Sequence, residues 1–315
     1  MRYDSHMKIF AGRASGEFAQ NMCDFLGVPL GESSVRVFSE GNIYVQIGEK
    51  VRGMDVYIVQ TIGLDPNNEM MELLFWLDAF QRSGANSVTA IIPYFSYAKA
   101  DKKDEPRVSI RARVCADCLE SAGVDRVVTM DLHSPQIQGF FKKPVDHLYA
   151  ANLFVDYIQR ANFGEFVIVA PDAGFAKNAK YYSNKLGVPL AIGDKQRLSH
   201  DEKAEVIGLI GDVEGQTAVI VDDMVISGGT LIETAKFLIS HGAADVYAFA
   251  SHCLMNQNGR EALINSPIKR LVTTDTVCNE NIRGCDKIEV LPVSGLFAKA
   301  VKIIHERDSL SDLFI

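Results

Sequence analysis

Three short segments in the first half of this 315-residue chain recur in its second half. The members of each pair lie about 160 positions apart, and both halves repeat the order helix, link, strand, loop, long helix, turn and strand. This repeat predicts two similarly folded domains, over residues 7–150 and 151–315. The matching segments are residues 26–30 with 186–190, 51–59 with 213–221, and 83–88 with 241–246.

Short apolar, β-branched runs alternate with helical patterns along both halves. Strands that alternate with helices form mainly parallel sheets covered by helices, so the predicted class is α/β. In such sheets ligands bind at the carboxyl ends of the strands, which directs the search for a site to the residues that follow each run. The predicted buried strands include residues 88–92, 127–130, 166–170, 218–221 and 246–250.

The charge balance narrows the classes of partner. Asp and Glu number 40 against 32 Lys and Arg, which gives a net charge of -8. A general nucleic-acid or anionic-membrane surface is therefore not expected. The sequence has no signal stretch and no run near the ~20 apolar residues of a membrane span, so we expect a cytoplasmic protein without nucleic-acid or membrane partners. Residues 1–6 are expected to derive from a vector, with Met7 as the natural start.

The six cysteines do not form the pattern of a disulfide framework in a chain of this length, so reduced thiols are expected. Cys115 and Cys118 match C-x-x-C inside the predicted helix 111–121, but no second such pair completes a zinc site. A redox or metal role is not predicted for them.

Residues 219–230 combine a buried strand, two acids, a loop of small residues and the start of a helix. Glycines allow the backbone to approach a ligand, and the unpaired amides at a helix start favour a phosphate. Asp222 and Asp223 accept hydrogen bonds only, so beside a phosphate they suit sugar hydroxyls or a metal ion. The spacing does not match a P-loop. A tight turn with a capping Ser or Thr is the structural alternative. The predicted phosphate loop consists of Ser227, Gly228, Gly229 and Thr230.

Two further strands end in polar residues, one strand from each half. His133 follows the strand 127–130, and Asp172 follows the strand 166–170. If the two side chains face one cleft, they suit Mg²⁺, because this ion is commonly held by few protein groups together with substrate phosphates. A histidine after a strand is also a common structural residue, and that alternative stays open.

Lys195 and Arg197 follow another apolar run and precede a polar stretch, residues 198–205, that is expected to be mobile. Two residues apart on an extended segment, they project to the same side and suit stabilisation of charge in phosphoryl transfer. A solvated basic loop is the alternative. Residues 97–107 are also rich in charge, and their basic groups suit nucleotide phosphates or solvent equally.

Taken in this order, the segments resemble the ribose-phosphate pyrophosphokinase (phosphoribosyl pyrophosphate synthase) family over residues 8–314. The resemblance implies two domains of type I phosphoribosyltransferase-like fold, with the last residues packing back on the first domain. It also implies transfer of the β,γ-diphosphoryl group of ATP to the 1-hydroxyl of ribose 5-phosphate, with Mg²⁺. The segments that carry the resemblance are residues 71–74, 92–94, 97–98, 101–103, 130–133, 136–141, 171–174, 222–224 and 309–314.

The resemblance assigns roles by position. Catalysis falls to Lys195 and Arg197, and ribose 5-phosphate binding to Asp222, Asp223, Ser227, Gly228, Gly229 and Thr230. Nucleotide binding falls to Phe38, Glu40, Asn42, Lys99, Asp101 and His133, and metal binding to His133 and Asp172. Regulation by phosphate or ADP falls to Arg107, Gln138, Ser309, Ser311 and Phe314.

The family pattern also implies a homo-oligomer, with dimers assembled into a hexamer. Departures from that pattern lie mainly on the nucleotide side: Glu40, Asn42, Lys99 and Ala100 replace the usual residues. Two alternatives stay open. One is a non-catalytic regulatory homologue that binds phosphorylated ligands or an active synthase, which the altered adenine loop favours. The other is a phosphoribosyltransferase, which the duplicated architecture and the segment 194–197 disfavour.

Overall fold

The computed structural model of the chain describes residues 6–197 and 204–313. Strands and helices alternate along most of the chain, as the apolar runs predict. In chain order they are β1 (Met7–Ala11), α1 (Gly16–Leu26), β2 (Ser33–Val37), β3 (Ile43–Ile47), β4 (Asp55–Val59), α2 (Pro66–Arg82), β5 (Ser87–Ile92), α3 (Arg111–Ser121), β6 (Arg126–Met130), β7 (Val145–Leu148), α4 (Ala151–Ala161), β8 (Phe166–Ala170), α5 (Ala176–Leu186), β9 (Leu190–Arg197), β10 (Ala204–Ile210), β11 (Thr217–Val225), α6 (Gly229–Ser240), β12 (Asp245–Cys253), α7 (Gln257–Ile264), β13 (Ile268–Thr274), β14 (Ile288–Leu291) and α8 (Ser294–His305). Short 3-10 turns occupy Arg13–Ser15, Ser96–Lys99, Pro135–Phe140 and Ser311–Leu313.

The chain divides into two compact units after Tyr149. Unit 1 contains the residues up to Tyr149, together with residues 275–278 and the residues from Pro292 onward. Unit 2 contains residues 150–274 and 279–291. The chain therefore leaves unit 2 twice, and helix α8 belongs to unit 1.

The sheet of unit 1 has the strand order β1-β4-β5-β6-β7, and every neighbouring pair is parallel. Helix α2 packs a stripe of fully buried side chains, spaced three or four residues apart, on this core. That stripe consists of Leu73, Trp76, Leu77 and Phe80. A separate antiparallel hairpin, β2–β3, completes the strands of the unit.

The sheet of unit 2 has the order β10-β9-β8-β11-β12-β13-β14. All of its pairs are parallel except β9 with β10. The middle strands β8, β11 and β12 are almost wholly buried, which explains their continuous apolar sequences. The predicted α/β class, with mainly parallel sheets flanked by helices, is confirmed in both units.

The internal repeat corresponds to equivalent structure in the two units. Helix α1 ends at Gly27 with φ 68°, and helix α5 ends at Gly187 with φ 69°. In each case the next amide returns to the last turn: Val28 donates to Cys23 O, and Val188 to Ser183 O, both at 3.1 Å. This is the helix-ending hydrogen bond that a left-handed glycine allows.

Two boundaries differ from the sequence predictions. Strand β11 continues to Val225, four residues beyond the predicted end, because its parallel pairing with β12 extends that far. Strand β10 begins at Ala204, so the polar stretch expected to be mobile partly pairs with β9. The rest of that stretch, residues 198–203, lies outside the described residues, as do residues 1–5.

Helix α3 covers residues 111–121 as predicted. No disulfide joins the six cysteines, all of which lie in the described ranges. Burial raises the pKa of the Cys115 thiol to about 12, with a further contribution from Cys118. That thiol is therefore protonated at neutral pH and is a poor nucleophile or metal ligand. No helix of the described residues is long and apolar enough to cross a membrane.

Candidate active site

The loop between β11 and α6 makes a tight turn around a glycine. Gly228 has φ 80°, a left-handed conformation that residues with a Cβ rarely adopt. A Cβ at this position would also lie 3.1 Å from Cε of the buried Met255. The carbonyl of Gly228 accepts the first helical hydrogen bond, from the Ile232 amide at 2.9 Å. Only glycine fits this position without strain.

The loop presents backbone donors to solvent. Ser227, Gly229 and Thr230 are exposed. Within residues 6–197 and 204–313, no protein acceptor takes a hydrogen bond from the amides of Ser227 and Gly228. The Gly229 amide has only a long contact, 3.4 Å to Ser227 Oγ. Because these donors stand at the positive end of a 12-residue helix, the loop suits an anion such as a phosphate.

Residues in and next to α7, together with Asn279, pack against this loop and support it. The sequence analysis did not identify them. Gly259 in α7 packs so closely that a Cβ there would lie 2.6 Å from Ser227 O. Its amide donates to the capping Asn256 Oδ1 at 2.9 Å. Asn279 donates to the carbonyl oxygens of Met255 at 2.8 Å and Cys253 at 3.2 Å. Asn256 before a helical pattern is the one local signal, a helix cap; the other contacts are long-range.

Two acids lie near the end of strand β11, just before the loop. Asp222 is half-buried and Asp223 is 8% exposed. The Asp223 amide donates to Asp222 Oδ1 at 2.9 Å. Burial raises the pKa of Asp222 well above its usual value, and the charge and hydrogen bond of Asp223 and the charge of Asp172 add to the effect. A pair of partly buried acids of this kind favours a bound cation or hydroxyl donors, which stabilise the ionised form.

Asp172 belongs to the same edge of unit 2. It lies two residues beyond β8, the strand that neighbours β11. Its Oδ1 accepts a hydrogen bond from the Phe175 amide at 3.2 Å, and a Cβ on Gly174 would lie 3.0 Å from the same oxygen. The turn before α5 therefore packs closely against this carboxylate, which accepts a backbone hydrogen bond as a helix-capping side chain does.

Lys195 and Arg197 lie in strand β9, on the other side of β8. Their backbones pair with Val206 and Ala204 of β10. Both residues thus lie in an extended strand. A catalytic role for them stays a prediction.

The predicted nucleotide residue His133 follows β6 in unit 1 and is exposed. Asp131, just before it, has φ 38°. The amide of Leu132, between them, donates to Nε2 of His147 at 2.8 Å. His147 is 1% exposed, and no sequence pattern singled it out.

Three other predicted nucleotide-binding residues lie in the turn of the β2–β3 hairpin. The Phe38 amide donates to Asn42 O at 2.9 Å, and the Gly41 amide donates to Phe38 O at 2.8 Å. Phe38 is 47% exposed, although its ring centroid lies 6.3 Å from that of Tyr44. Glu40 and Asn42 are exposed as well. The turn presents one aromatic face and polar side chains to solvent.

The remaining predicted nucleotide-binding residues are Lys99, which ends the turn Ser96–Lys99, and Asp101, which follows it. Asp101 Oδ2 accepts a hydrogen bond from Gln136 Nε2 at 2.8 Å. This bond ties the charged loop to the turn Pro135–Phe140, which contains Gln138.

No group of three or more His, Cys, Asp or Glu side chains in the described part of the chain is arranged to hold a metal ion. His133 lies in unit 1 and Asp172 in unit 2. A metal ion shared between them stays a prediction. Each of the two residues is a chemically suitable ligand for an ion that also binds substrate phosphates.

The four predicted regulatory residues that the structure describes all lie in unit 1. Arg107 is exposed with φ 66°. Gln138 Nε2 donates to Pro135 O at 2.9 Å. Ser309 and Ser311 share a hydrogen bond of 2.7 Å between their hydroxyls. Phe314 lies outside the described residues.

A polar cavity of about 270 Å³ lies at the opposite edge of the unit 1 sheet, and none of the predicted site residues lines it. It is bounded by the first residues of β4 and β5 and by the end of α8. Asp55 there accepts hydrogen bonds from Asn86 and Ser87, both at 2.7 Å, and faces His305 at 3.4 Å. Because parallel sheets bind ligands at the carboxyl ends of strands, we do not assign the reaction to this cavity.

Comparisons with known proteins agree with the geometry. Residues 7–123 match the family model for the N-terminal domain of ribose phosphate pyrophosphokinase, and residues 198–315 match the phosphoribosyl synthetase-associated domain. A ribose-phosphate pyrophosphokinase of Caldanaerobacter subterraneus subsp. tengcongensis is 44% identical over 314 residues, 99% of each chain. One of Clostridium tetani is 41% identical over 98% of this chain and 97% of that relative. The crystal structure of phosphoribosylpyrophosphate synthetase from Mycobacterium smegmatis superposes with a TM-score of 0.90, at 36% identity, over 96% of this chain and 100% of that one.

Proposed function

This chain belongs to the ribose-phosphate pyrophosphokinase family, and we propose that it transfers the β,γ-diphosphoryl group of ATP to the 1-hydroxyl of ribose 5-phosphate. The products are phosphoribosyl pyrophosphate and AMP. The observation that carries this proposal is the β11–α6 loop, where exposed amides at a helix start adjoin the acids Asp222 and Asp223. A phosphate needs donors and a sugar hydroxyl needs acceptors, and this loop offers both side by side.

The sugar phosphate would bind with its 5-phosphate on the amides and hydroxyls of residues 227–230. Asp222 and Asp223 would then accept hydrogen bonds from the ribose hydroxyls. In the reaction the 1-oxygen attacks the β-phosphorus, the bond from that phosphorus to the α,β-bridging oxygen breaks, and AMP leaves. The proton of the 1-hydroxyl is released, so atoms and charges balance.

ATP would bind on the unit 1 residues Phe38, Glu40, Asn42, Lys99, Asp101 and His133. The exposed Phe38 ring offers a face on which a base can stack. Mg²⁺ would neutralise phosphate charge when bound, with His133 and Asp172 as its protein ligands. We include adenine as the preferred base in the proposal. Glu40 and Asn42 depart from the family pattern in this turn, so the base preference is a property to be measured separately.

Lys195 and Arg197 would stabilise the charge that builds on the transferred diphosphoryl group. We expect Lys195→Ala to lower kcat by about 10²–10³-fold with little change in ribose 5-phosphate binding, because the charge acts mainly in the transition state. Lys236→Ala is the control, since this exposed lysine lies in α6 and pairs with Glu233 of the same helix. A near-normal kcat in Lys195→Ala removes that residue from catalysis.

Product analysis tests the reaction directly. The purified chain is mixed with ribose 5-phosphate, Mg²⁺ and, separately, ATP, GTP or CTP. Nucleoside monophosphate and phosphoribosyl pyrophosphate that form only with the sugar present support the proposal, and the fastest donor identifies the nucleotide preference. No product with retained sugar-phosphate binding indicates the non-catalytic regulatory homologue. Diphosphate release from phosphoribosyl pyrophosphate plus a base indicates a phosphoribosyltransferase.

We further propose that the chain works in the cytoplasm as a homo-oligomer, with dimers assembled into a hexamer. Phosphate or ADP would act at Arg107, Gln138, Ser309, Ser311 and Phe314. Light scattering coupled to size exclusion measures the assembly, and a monomer that turns over normally contradicts it. Inhibition by ADP that persists after Arg107→Ala and at saturating ATP contradicts the assignment of Arg107.

A further inference from the structure

A buried histidine holds the backbone of the turn that carries His133. His147 lies in strand β7 and is 1% exposed. Its Nε2 lies 2.8 Å from the backbone nitrogen of Leu132. A backbone N–H can only donate, so Nε2 must carry no proton and the ring is neutral, with its proton on Nδ1.

The bond falls at the centre of a constrained turn. Asp131 has φ 38°, a left-handed conformation that is uncommon for a residue with a side chain. The Asp131 amide donates to Leu148 O at 3.0 Å. Two adjacent residues of β7 therefore fix two adjacent amides of the turn, one through a carbonyl oxygen and one through a side chain. This double attachment sets the direction in which the chain reaches His133.

The imidazole is itself held in place. The Tyr149 ring lies against it, with 4.3 Å between ring centroids. Gln138 Nε2 lies 3.4 Å from Nδ1 while it donates to Pro135 O at 2.9 Å. With the proton on Nδ1, both of these nitrogens carry hydrogens, so this separation is a packing contact rather than a hydrogen bond. The ring can turn little, and its Nε2 stays aimed at Leu132.

We propose that His147 is a positioning residue for the nucleotide site: its unprotonated Nε2 fixes the Leu132 amide and thereby the placement of His133 toward Mg-ATP. The inference rests on the proposed role of His133 in nucleotide binding. His147 acts through the backbone and touches no substrate. Without it, the amide of Leu132, a residue only 7% exposed, would lose its acceptor.

Three variants separate positioning from stability. His147→Leu removes the acceptor and replaces the ring by an apolar side chain of moderate size. His147→Gln restores an acceptor, because the glutamine amide oxygen extends about as far from the backbone as Nε2 of histidine. Val128→Ala, at a fully buried position of the neighbouring strand β6, lowers the stability of unit 1 without changing the hydrogen bond.

The readouts are the Kd of Mg-ATP by calorimetry without sugar, the KM values of both substrates, and hydrogen exchange at the Leu132 amide. We expect His147→Leu to raise the Mg-ATP Kd and KM by at least about tenfold and to speed exchange at Leu132, with the ribose 5-phosphate KM changed less than about twofold. His147→Gln should return the Mg-ATP values to within about threefold of the wild type.

Several results would overturn the inference: an unchanged Mg-ATP Kd in His147→Leu, the same loss in Val128→Ala, or no recovery in His147→Gln while exchange at Leu132 is slow. Failure of the reaction itself gives a different pattern. If the wild type forms no AMP, the proposed function fails, but the Mg-ATP Kd and the exchange rate still decide the role of His147. A wild type that binds no Mg-ATP overturns both.

Discussion

The loop after β4 in unit 1 and the loop after β11 in unit 2 occupy the same place in the repeated topology. The unit 1 loop uses its polar groups within the protein. The Thr61 amide donates to Ser15 Oγ at 2.7 Å, and the Thr61 hydroxyl donates to Thr276 O at 2.7 Å. The Gly63 amide donates to Glu69 Oε2. These donors are used in hydrogen bonds within the protein, so they hold the loop in place instead of being available to a ligand.

The unit 2 loop leaves comparable donors available to a ligand. The amides of Ser227 and Gly228 have no acceptor in the described part of the chain, and Asp222 and Asp223 crowd their charges beside them. The strand–loop–helix geometry therefore does not by itself make a ligand site. The site arises where side chains from elsewhere in the fold do not satisfy the amides.

The largest expected difference between the loops concerns their acids. We expect Asp223→Asn to lower kcat/KM for ribose 5-phosphate by about 100-fold, because the amide replaces one acceptor of a charged hydrogen bond by a donor. The matched change in unit 1 is Asp65→Asn, at an exposed residue that accepts from Asn68 Nδ2 at 2.8 Å. Steady-state kinetics should show less than about a twofold effect there. Equal effects would end the distinction between the loops.

The glycine of the phosphate loop should show the next largest effect. Gly228→Ala should raise the ribose 5-phosphate KM by about tenfold, because the strained turn and the contact with Met255 shift the amides. Gly27→Ala has a similar positive φ, and its Cβ would meet no atom within 4 Å. Both variants should lose about 1–2 kcal/mol of unfolding free energy. An unchanged KM in Gly228→Ala would show that the turn need not be fixed.

One chemical change, serine to alanine, should have opposite readouts in the two units. Ser15→Ala removes the acceptor of the buried Thr61 amide and should cost about 1–3 kcal/mol in denaturant unfolding with normal turnover. Ser227→Ala should change stability by less than about 0.5 kcal/mol and raise the ribose 5-phosphate KM by about fivefold. A stability loss in Ser227→Ala with an unchanged KM would show that the Ser227 hydroxyl holds its loop in place as well.

The smallest effect should be a pH-dependent gain in stability. The folded-state pKa of Asp222 is raised by burial, so its contribution to stability is full below the usual value of 3.8 and is lost as pH rises through the folded pKa. Asp222→Asn avoids that loss. Its Tm without ligands should therefore exceed that of the wild type by an amount that grows as pH rises above 3.8, the usual pKa. A Tm difference that does not depend on pH would contradict the raised pKa.

The sequence determined the features that depend on neighbours along the chain. Apolar runs predicted the buried strands β4, β5, β6, β8, β11 and β12, and glycines end the helices at Gly27 and Gly187. The acid and glycine pattern located the end of β11 and the loop that follows it. The repeat of residues 51–59 in 213–221 corresponds to β4 and β11. These follow from side-chain periodicity and backbone preference, which act over a few residues.

Only the tertiary structure decided which of the two loops is satisfied. Thr61 finds Thr276 across more than two hundred residues, Asn279 supports the loop through Met255, and His147 reaches Leu132 from the next strand. The chain also returns to unit 1 at 275–278 and from Pro292. A hydrogen bond depends on where two groups meet in space, so partners distant in sequence are set by strand order and chain return. The local sequence pattern therefore does not predict these long-range hydrogen bonds.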